Sequence, residues 1–316
     1  MPAPPDDGED ARVARLAARF ERSPRDAALA LGIGDDAAIA HGLALSVDVA
    51  IEGVHFRRDF APLEVLAARA ANAALSDLAA MGARPTGLLL ALVAPHAEPQ
   101  ASFDAIAEGV AGAVEAVGAA VVGGNVARGD ALSLTSTVFG PAPATPLRRD
   151  GARPGEGVWV TGPPGDAALG LSQLLAGVRS GPFVERWLRP MPRFDAGCAL
   201  AGVASAAMDL SDGLLTDLGR LTRASGVGAT LVLGDLPRGP GFDAAAGAEA
   251  RALLLDGGEG YELVFTLAGT PPFPATRIGT VDAARGLRVD AGEGPRAVRP
   301  AGFDHFRRLS SPDPIG

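Results

Sequence analysis

Six acidic residues, Asp35, Asp36, Asp48, Asp209, Asp212 and Glu259, fall at four separate turn-like or strand-end positions, most of them ringed by glycine and small apolar residues. The four spots read Gly32-Ile-Gly-Asp-Asp36, Ser46-Val-Asp48, Asp209-Leu-Ser-Asp212-Gly213 and Gly257-Gly-Glu259. Carboxylates crowded near one another repel unless hard cations sit between them. A fold that gathers these spots builds an oxygen-only cage suited to several Mg²⁺ ions, and such a cage is a tool for handling phosphate.

At 316 residues the chain exceeds the usual size of a single core, and two moderate domains are expected. A 47% hydrophobic share, 5% aromatics and 42 glycines describe a compact globular protein with many tight turns. The net charge of −9 argues against a nucleic-acid partner, which calls for a basic face. All 28 basic residues are arginine, so the Walker A motif with its lysine is excluded, and phosphate must be met by metals, arginines and backbone amides.

The single cysteine, Cys198, lies in an apolar helix-like stretch, reads as a packed core thiol, and fits a reducing compartment. Residues 1–10 lack the basic-then-apolar pattern of a signal peptide and read as a disordered acidic tail. The longest apolar run, Leu88 to Ala94, is too short to span a bilayer. These features predict a soluble, cytoplasmic protein without a membrane partner.

Periodicity predicts helices over 11–22, 62–81, 101–117, 166–175, 195–206 and 213–223, with proline in the first turn of the second. Strands are predicted over 43–48, 87–94, 119–122, 132–139, 157–161, 229–233, 262–266 and 277–281. Three prolines in Gly140-Pro-Ala-Pro-Ala-Thr-Pro146 deny hydrogen bonds to regular structure. The domain boundary is placed there, giving domains 1–140 and 147–316.

On the helix over 62–81, Leu63, Leu66, Ala70, Ala73 and Met81 share one stripe with Asp77 in its middle. A carboxylate on a core-facing stripe needs a partner, and with no basic residue on that stripe a metal competes evenly with a buried arginine or amide. In Asp209-Leu-Ser-Asp212-Gly213, Ser211 or Asp212 serves as an N-cap, or the turn holds a metal through both aspartates while Ser211 meets a phosphate. Gly32-x-Gly34 is a poor dinucleotide fingerprint because Asp35 and Asp36 would face the pyrophosphate. Gly123-Gly-Asn125 and Gly162-Pro-Pro-Gly165 read as turns, with a phosphate nest as the alternative. His55 is the histidine near an acidic motif; His41, His96 and His305 sit in loop or tail settings, and no pair has zinc spacing.

Taken in order, the motifs Gly32-Ile-Gly-Asp-Asp-Ala-Ala38, Ser46-Val-Asp48, Glu52-Gly-Val-His-Phe56, Asn72 to Ala83, Gly151 to Gly155, Asp209-Leu-Ser-Asp-Gly-Leu214, Gly257-Gly-Glu259 and Gly302-Phe-Asp-His-Phe306 resemble thiamine-monophosphate kinase nearly end to end. The resemblance implies the α/β (α+β) two-domain fold of the aminoimidazole ribonucleotide synthetase superfamily. Its N-terminal domain carries a sheet that pairs with a second subunit as a homodimer, and its C-terminal domain is α/β. It also implies ATP-dependent phosphorylation of thiamine monophosphate to thiamine diphosphate with several Mg²⁺ ions and no phosphorylated enzyme.

Carried over by resemblance, Asp36, Ser46, Val47 (through its backbone), Asp48, Asp77, Asn125, Asp209 and Asp212 fall at metal positions, with Asp48, Asp77 and Asp212 in the catalytic set. Gly124, Asn125, Arg149 and Ser211 fall at nucleotide positions, and His55, Glu259 and Phe303 face the thiamine substrate. Asp35 takes a supporting role. The chain departs from the family pattern at Asn125, Val47 and Gly260, where aspartate, threonine and aspartate are usual. Two rivals follow: another ATP-dependent synthetase of the superfamily, or a nucleotide-binding scaffold without turnover.

Overall fold

The computed structural model describes residues 8–20, 28–303 and 306. Residues 1–7 of the expected tail, the last two of the first expected helix, and His305 lie outside the described residues. Glu9 and Asp10, expected in the tail, instead open the helix α1 (Glu9–Phe20).

Two sheets organise the molecule. The first contains β1 (Leu29–Leu31), β2 (Ala38–Ala40), β3 (Leu43–Ile51), β4 (Gly87–Ala94), β5 (Ala120–Arg128) and β6 (Ser133–Pro141), in the order β1-β2-β3-β6-β4-β5. Along β3, Ala44 is buried while Val47 and Val49 are exposed, so Ser46 and Asp48 share the covered face with Ala44. That face is covered by α2 (Leu63–Ala80), with α3 (Gln100–Glu115) packed beside it.

The second sheet contains β7 (Gly157–Val160), β8 (Ala206–Asp209), β9 (Gly228–Val232), β10 (Leu263–Leu267), β11 (Thr276–Asp282), β12 (Gly286–Asp290) and β13 (Pro295–Val298). Their order is β13-β12-β9-β11-β7-β10-β8, with β12 parallel to β9. Around it stand α4 (Asp166–Leu175), α5 (Pro182–Leu188), α6 (Phe194–Leu200), α7 (Leu214–Ser225), α8 (Phe242–Ala246) and α9 (Ala250–Asp256).

α2 is the element that joins the two halves. The sequence predicts one apolar stripe on it, but burial runs round the helix and takes in Arg69, Ala71, Ala74, Leu75, Ser76 and Leu78. The reason is that β3, β6 and α3 cover one side while α6 and β8 cover another. Alanine makes this close packing possible, and so does Gly109 of α3, where a Cβ would strike the Glu64 backbone carbonyl. Burying Leu66, Leu75 and Leu78 contributes roughly 1.5–3 kcal/mol each, enough to hold polar side chains of the same helix at fixed positions inside the protein.

Other expectations shift for physical reasons. Pro62 is the N-cap of α2 and lies one residue before its first turn. The helix expected over 195–206 ends at Leu200, and Ala206 begins β8; Gly202, at φ 75°, interrupts the run between them. Gly123-Gly-Asn125 is no turn: it lies inside β5, which is exposed along its whole length at the sheet edge. Strands β1, β2, β8, β12 and β13 and helices α5, α8 and α9 are too short or too weakly periodic to predict.

Candidate functional site

Asp36 follows the turn before β2, Asp77 lies on α2, and Asp209 is the last residue of β8. One oxygen from each of these three carboxylates lies within 4.8 Å of the other two. Ser46 Oγ stands 2.5 Å from Asp77 Oδ2 and 3.1 Å from the Asp36 carbonyl oxygen, and Ser76 Oγ donates to Asp209 Oδ2 at 2.7 Å. Arg149 Nη2 donates to Asp36 Oδ1 at 2.6 Å, whereas Asp36 Oδ2 is buried with no hydrogen-bond partner among the described residues.

Such crowding is electrostatically unfavourable without a cation. Burial, then the charge of Asp36, pushes the Asp209 carboxyl up to about 7. Burial, then Asp209 and Asp36, raises Asp77 well above the carboxylate range. Burial also raises Asp36, with Arg149 opposing it. Next door, Asp35 is pushed up to about 6 by burial and by Asp36, while its Oδ2 accepts the Arg149 backbone N–H at 3.3 Å. An orphaned carboxylate oxygen amid three converging acids and serine hydroxyls is a donor set of hard oxygens, and it fits a divalent cation such as Mg²⁺.

Two of these acids, Asp77 and Asp209, border a cavity of about 220 Å³ whose lining also includes Asp48, Ser211, Asp212 and Glu259. Asp48 Oδ1 accepts the Val49 backbone N–H at 2.7 Å. Val47 borders the cavity while its side chain, 63% exposed, sits on the opposite face of β3, so its contribution there is backbone. At the turn before α7 neither Ser211 nor Asp212 caps the helix. Asp217 does, its Oδ2 accepting the Asp212 and Gly213 amides at 3.0 and 3.1 Å. Those two amides, just ahead of Leu214, are therefore satisfied inside the protein. Arg220 pairs with both Asp212 and Asp217 and reaches Asp10 of α1.

A second, largely apolar cavity of about 190 Å³ adjoins the first, with Val54, Leu171 and Gly258 in its wall. The two share His55, Ser211, Asp212, Glu259 and Phe303. His55 Nδ1 accepts the Ile51 backbone N–H at 3.0 Å, which puts the ring proton on Nε2. Glu259 holds a left-handed backbone at φ 70°, its N–H donating to the Ser211 carbonyl at 2.8 Å. Gly258 permits this approach, because a Cβ there would meet the Ser211 carbonyl. Arg69, Tyr261, Asp217 and Arg220 escaped the sequence reading; the one available signal was an arginine inside an alanine-rich helix.

Gly124 and Asn125 do not join the cleft. Asn125 is in register with Ala91 of β4, Ala91 with Thr135 of β6, and Thr135 with Val49 of β3. Asn125 therefore stands three strands away, on the face of the sheet opposite α2, because parallel and antiparallel register preserves the side of each paired residue.

Residues 34–142 match the family model for AIR synthase related protein, N-terminal domain. The thiamine-monophosphate kinase of Salmonella typhimurium is 37% identical, over 95% of this chain and 98% of that protein, and the Escherichia coli K12 enzyme is 38% identical over the same shares. A solved structure described as AaThiL complexed with AMPPCP and TMP superposes with a TM-score of 0.86 at 30% identity, covering 97% of this chain and 99% of that one. At this identity over almost its whole length, the chain belongs to the thiamine-monophosphate kinase family.

Proposed function

We propose that this chain transfers the γ-phosphoryl group of ATP to thiamine monophosphate, giving thiamine diphosphate and ADP. The observation that carries the reading is the junction of a carboxylate-lined cavity with an apolar one through Asp212, Ser211, His55, Glu259 and Phe303. One cavity suits phosphates and their cations, the other an aromatic cation. AaThiL is described in complex with AMPPCP, the methylene analogue of ATP, and TMP.

In this reading a terminal phosphate oxygen of thiamine monophosphate attacks the γ-phosphorus in line, the bond to the β,γ-bridging oxygen breaks, and ADP leaves. The acceptor needs no strong base, since the second pKa of such a phosphate is about 6. Asp36, Ser46, the Val47 backbone, Asp48, Asp77, Asp209 and Asp212 would hold the Mg²⁺ ions. When bound, these ions neutralise charge on two mutually repelling substrates. Arg149 and Ser211 orient the nucleotide phosphates. His55 Nε2–H, the Glu259 carboxylate and the Phe303 ring seat the thiamine end. Catalysis then rests on positioning and charge, without a phosphorylated enzyme.

The active unit in this proposal is a homodimer of two-domain chains, divided between 140 and 147, working in the cytoplasm. Val47, Val49, Leu89, Val121, Val122 and Val126 leave the outer face of the first sheet and its edge strand apolar and exposed, which supports pairing with a second copy. A partner across that face would bring Gly124 and Asn125 to a cleft they cannot reach within one chain. No helix among the described residues is long and apolar enough to cross a membrane.

The test is direct. Purified protein with ATP, Mg²⁺ and thiamine monophosphate is expected to yield thiamine diphosphate and ADP in equal amounts. Nucleotide binding without product would favour a scaffold, and product from a different acceptor would favour another synthetase.

A further inference from the structure

Arg69 of α2 is an unusual residue to find inside an alanine-rich helix between two sheets: its side chain is 6% exposed. Its guanidinium lies 3.9 Å from the centroid of the Trp187 ring and 5.9 Å from that of Tyr261, and it pairs with Glu259. Arg69 Nε is buried without a hydrogen-bond partner among the described residues, so the group's polar contacts there are concentrated on its terminal nitrogens. A buried guanidinium is unfavourable unless paired. Stacking on Trp187 and pairing with Glu259 together fix where it sits.

The consequence falls on Glu259. Arg69 Nη2 and the Tyr261 hydroxyl, at 3.3 Å, both donate to the same oxygen, Oε2. Among the described residues no hydrogen bond is drawn to Oε1, on a side chain that borders both cavities and is 25% exposed. Glu259 and Tyr261 also hold left-handed backbones, at φ 70° and 50°. Strain of this kind at two nearby non-glycine residues persists where the surroundings over-determine the geometry.

We infer that Arg69 is a positioning residue for substrate choice: from the face of Trp187 it pins Oε2 of Glu259, so that Oε1 is presented to the cationic ring system of thiamine monophosphate. The inference rests on the proposed kinase function and adds a residue to it. It also gives α2 a second task. Arg69 and Asp77 are eight residues apart on one helix, about 12 Å along its axis. The helix thus sets the spacing between the group that orients the ring-binding carboxylate and a carboxylate at the phosphate end.

Steady-state kinetics on Arg69→Met and Arg69→Lys test this. In Arg69→Met the KM for thiamine monophosphate is expected to rise about 10- to 100-fold, the range for a lost charge-assisted contact. kcat is expected to stay within about threefold, with the KM for ATP unchanged. Arg69→Lys keeps the charge, loses the flat fork and falls between the two; it carries the same test should Arg69→Met fail to fold. An unchanged KM for thiamine monophosphate in either folded variant overturns the inference, as does a parallel loss of kcat and ATP affinity, the mark of a merely structural residue. A wild-type protein that makes no thiamine diphosphate overturns the proposed function instead.

Discussion

Arg149 donates to one oxygen of Asp36 at 2.6 Å and leaves the other buried without a hydrogen-bond partner among the described residues. The two residues are 113 positions apart, so this contact ties the segment after the first sheet to the turn before β2 and fixes the Asp36 carboxylate. If Arg149 also orients the nucleotide phosphates, Arg149→Met raises the KM for ATP about 10- to 100-fold, the loss expected for a charge-assisted contact. Thiamine monophosphate binding, followed by calorimetry without nucleotide, stays within about threefold.

Asp48→Asn and Asp212→Asn are isosteric changes at the border of the carboxylate cavity. Each is expected to cut kcat by about 10²-fold or more, the scale for losing one preorganised electrostatic contact. The far-ultraviolet circular dichroism spectrum stays that of the wild type. Wild-type turnover in both variants would remove these residues from the catalytic set.

The pH dependence of stability follows from the raised carboxyls. Burial, then Asp36, pushes the Asp209 carboxyl up to about 7 from an ordinary value of 3.8, and Asp77 is shifted the same way. A group raised on folding contributes stability that is present below its unfolded pKa and lost as pH rises through the folded one. Metal-free protein should therefore lose thermal stability between about pH 4 and 7.5 through these groups. Mg²⁺ should raise Tm more at pH 8 than at pH 5.5, because protons compete with the cation for the same oxygens. Equal Mg²⁺ shifts at both pH values in a scanning calorimeter would contradict this.

Leu89 lies on the exposed outer face of the first sheet, and Val126 lies on its exposed edge strand β5. Leu89→Arg or Val126→Arg should convert a dimer to a monomer by light scattering, since a charge desolvated in an apolar interface is expensive. If Gly124 and Asn125 complete the cleft across that interface, turnover falls with dissociation. A wild-type monomer at micromolar concentration would end the dimer proposal.

How much of this was readable beforehand differs by residue. Asp48 and Ser46 were legible because β3 alternates cleanly, and Asp209 and Asp212 because an apolar run breaks at a glycine turn before a helix. Asp77 was visible as a carboxylate on an apolar stripe. Arg69 was not, because its reason for burial lies in Trp187 on α5 and Glu259, more than one hundred positions away, and α5 is too short to announce itself. The Asp217 cap was hidden for a similar reason: Ser211 and Asp212 stand where a capping residue is expected, yet a carboxylate one turn into the helix reaches back to the Asp212 and Gly213 amides. Asn125 was misread as part of a turn because two glycines preceded it, and strand pairing with β4 overrode their local preference.

The claim beneath all of this is that Asp36, Asp77 and Asp209 form one divalent-cation site. Titration of Mn²⁺ into the purified protein, read by electron paramagnetic resonance without substrates, measures it most directly. Wild type is predicted to remove Mn²⁺ from solution at pH 8, and Asp77→Asn and Asp209→Asn to bind it at least about tenfold more weakly, one charged ligand fewer being the difference. Identical Mn²⁺ binding by the wild type and both variants would contradict the account.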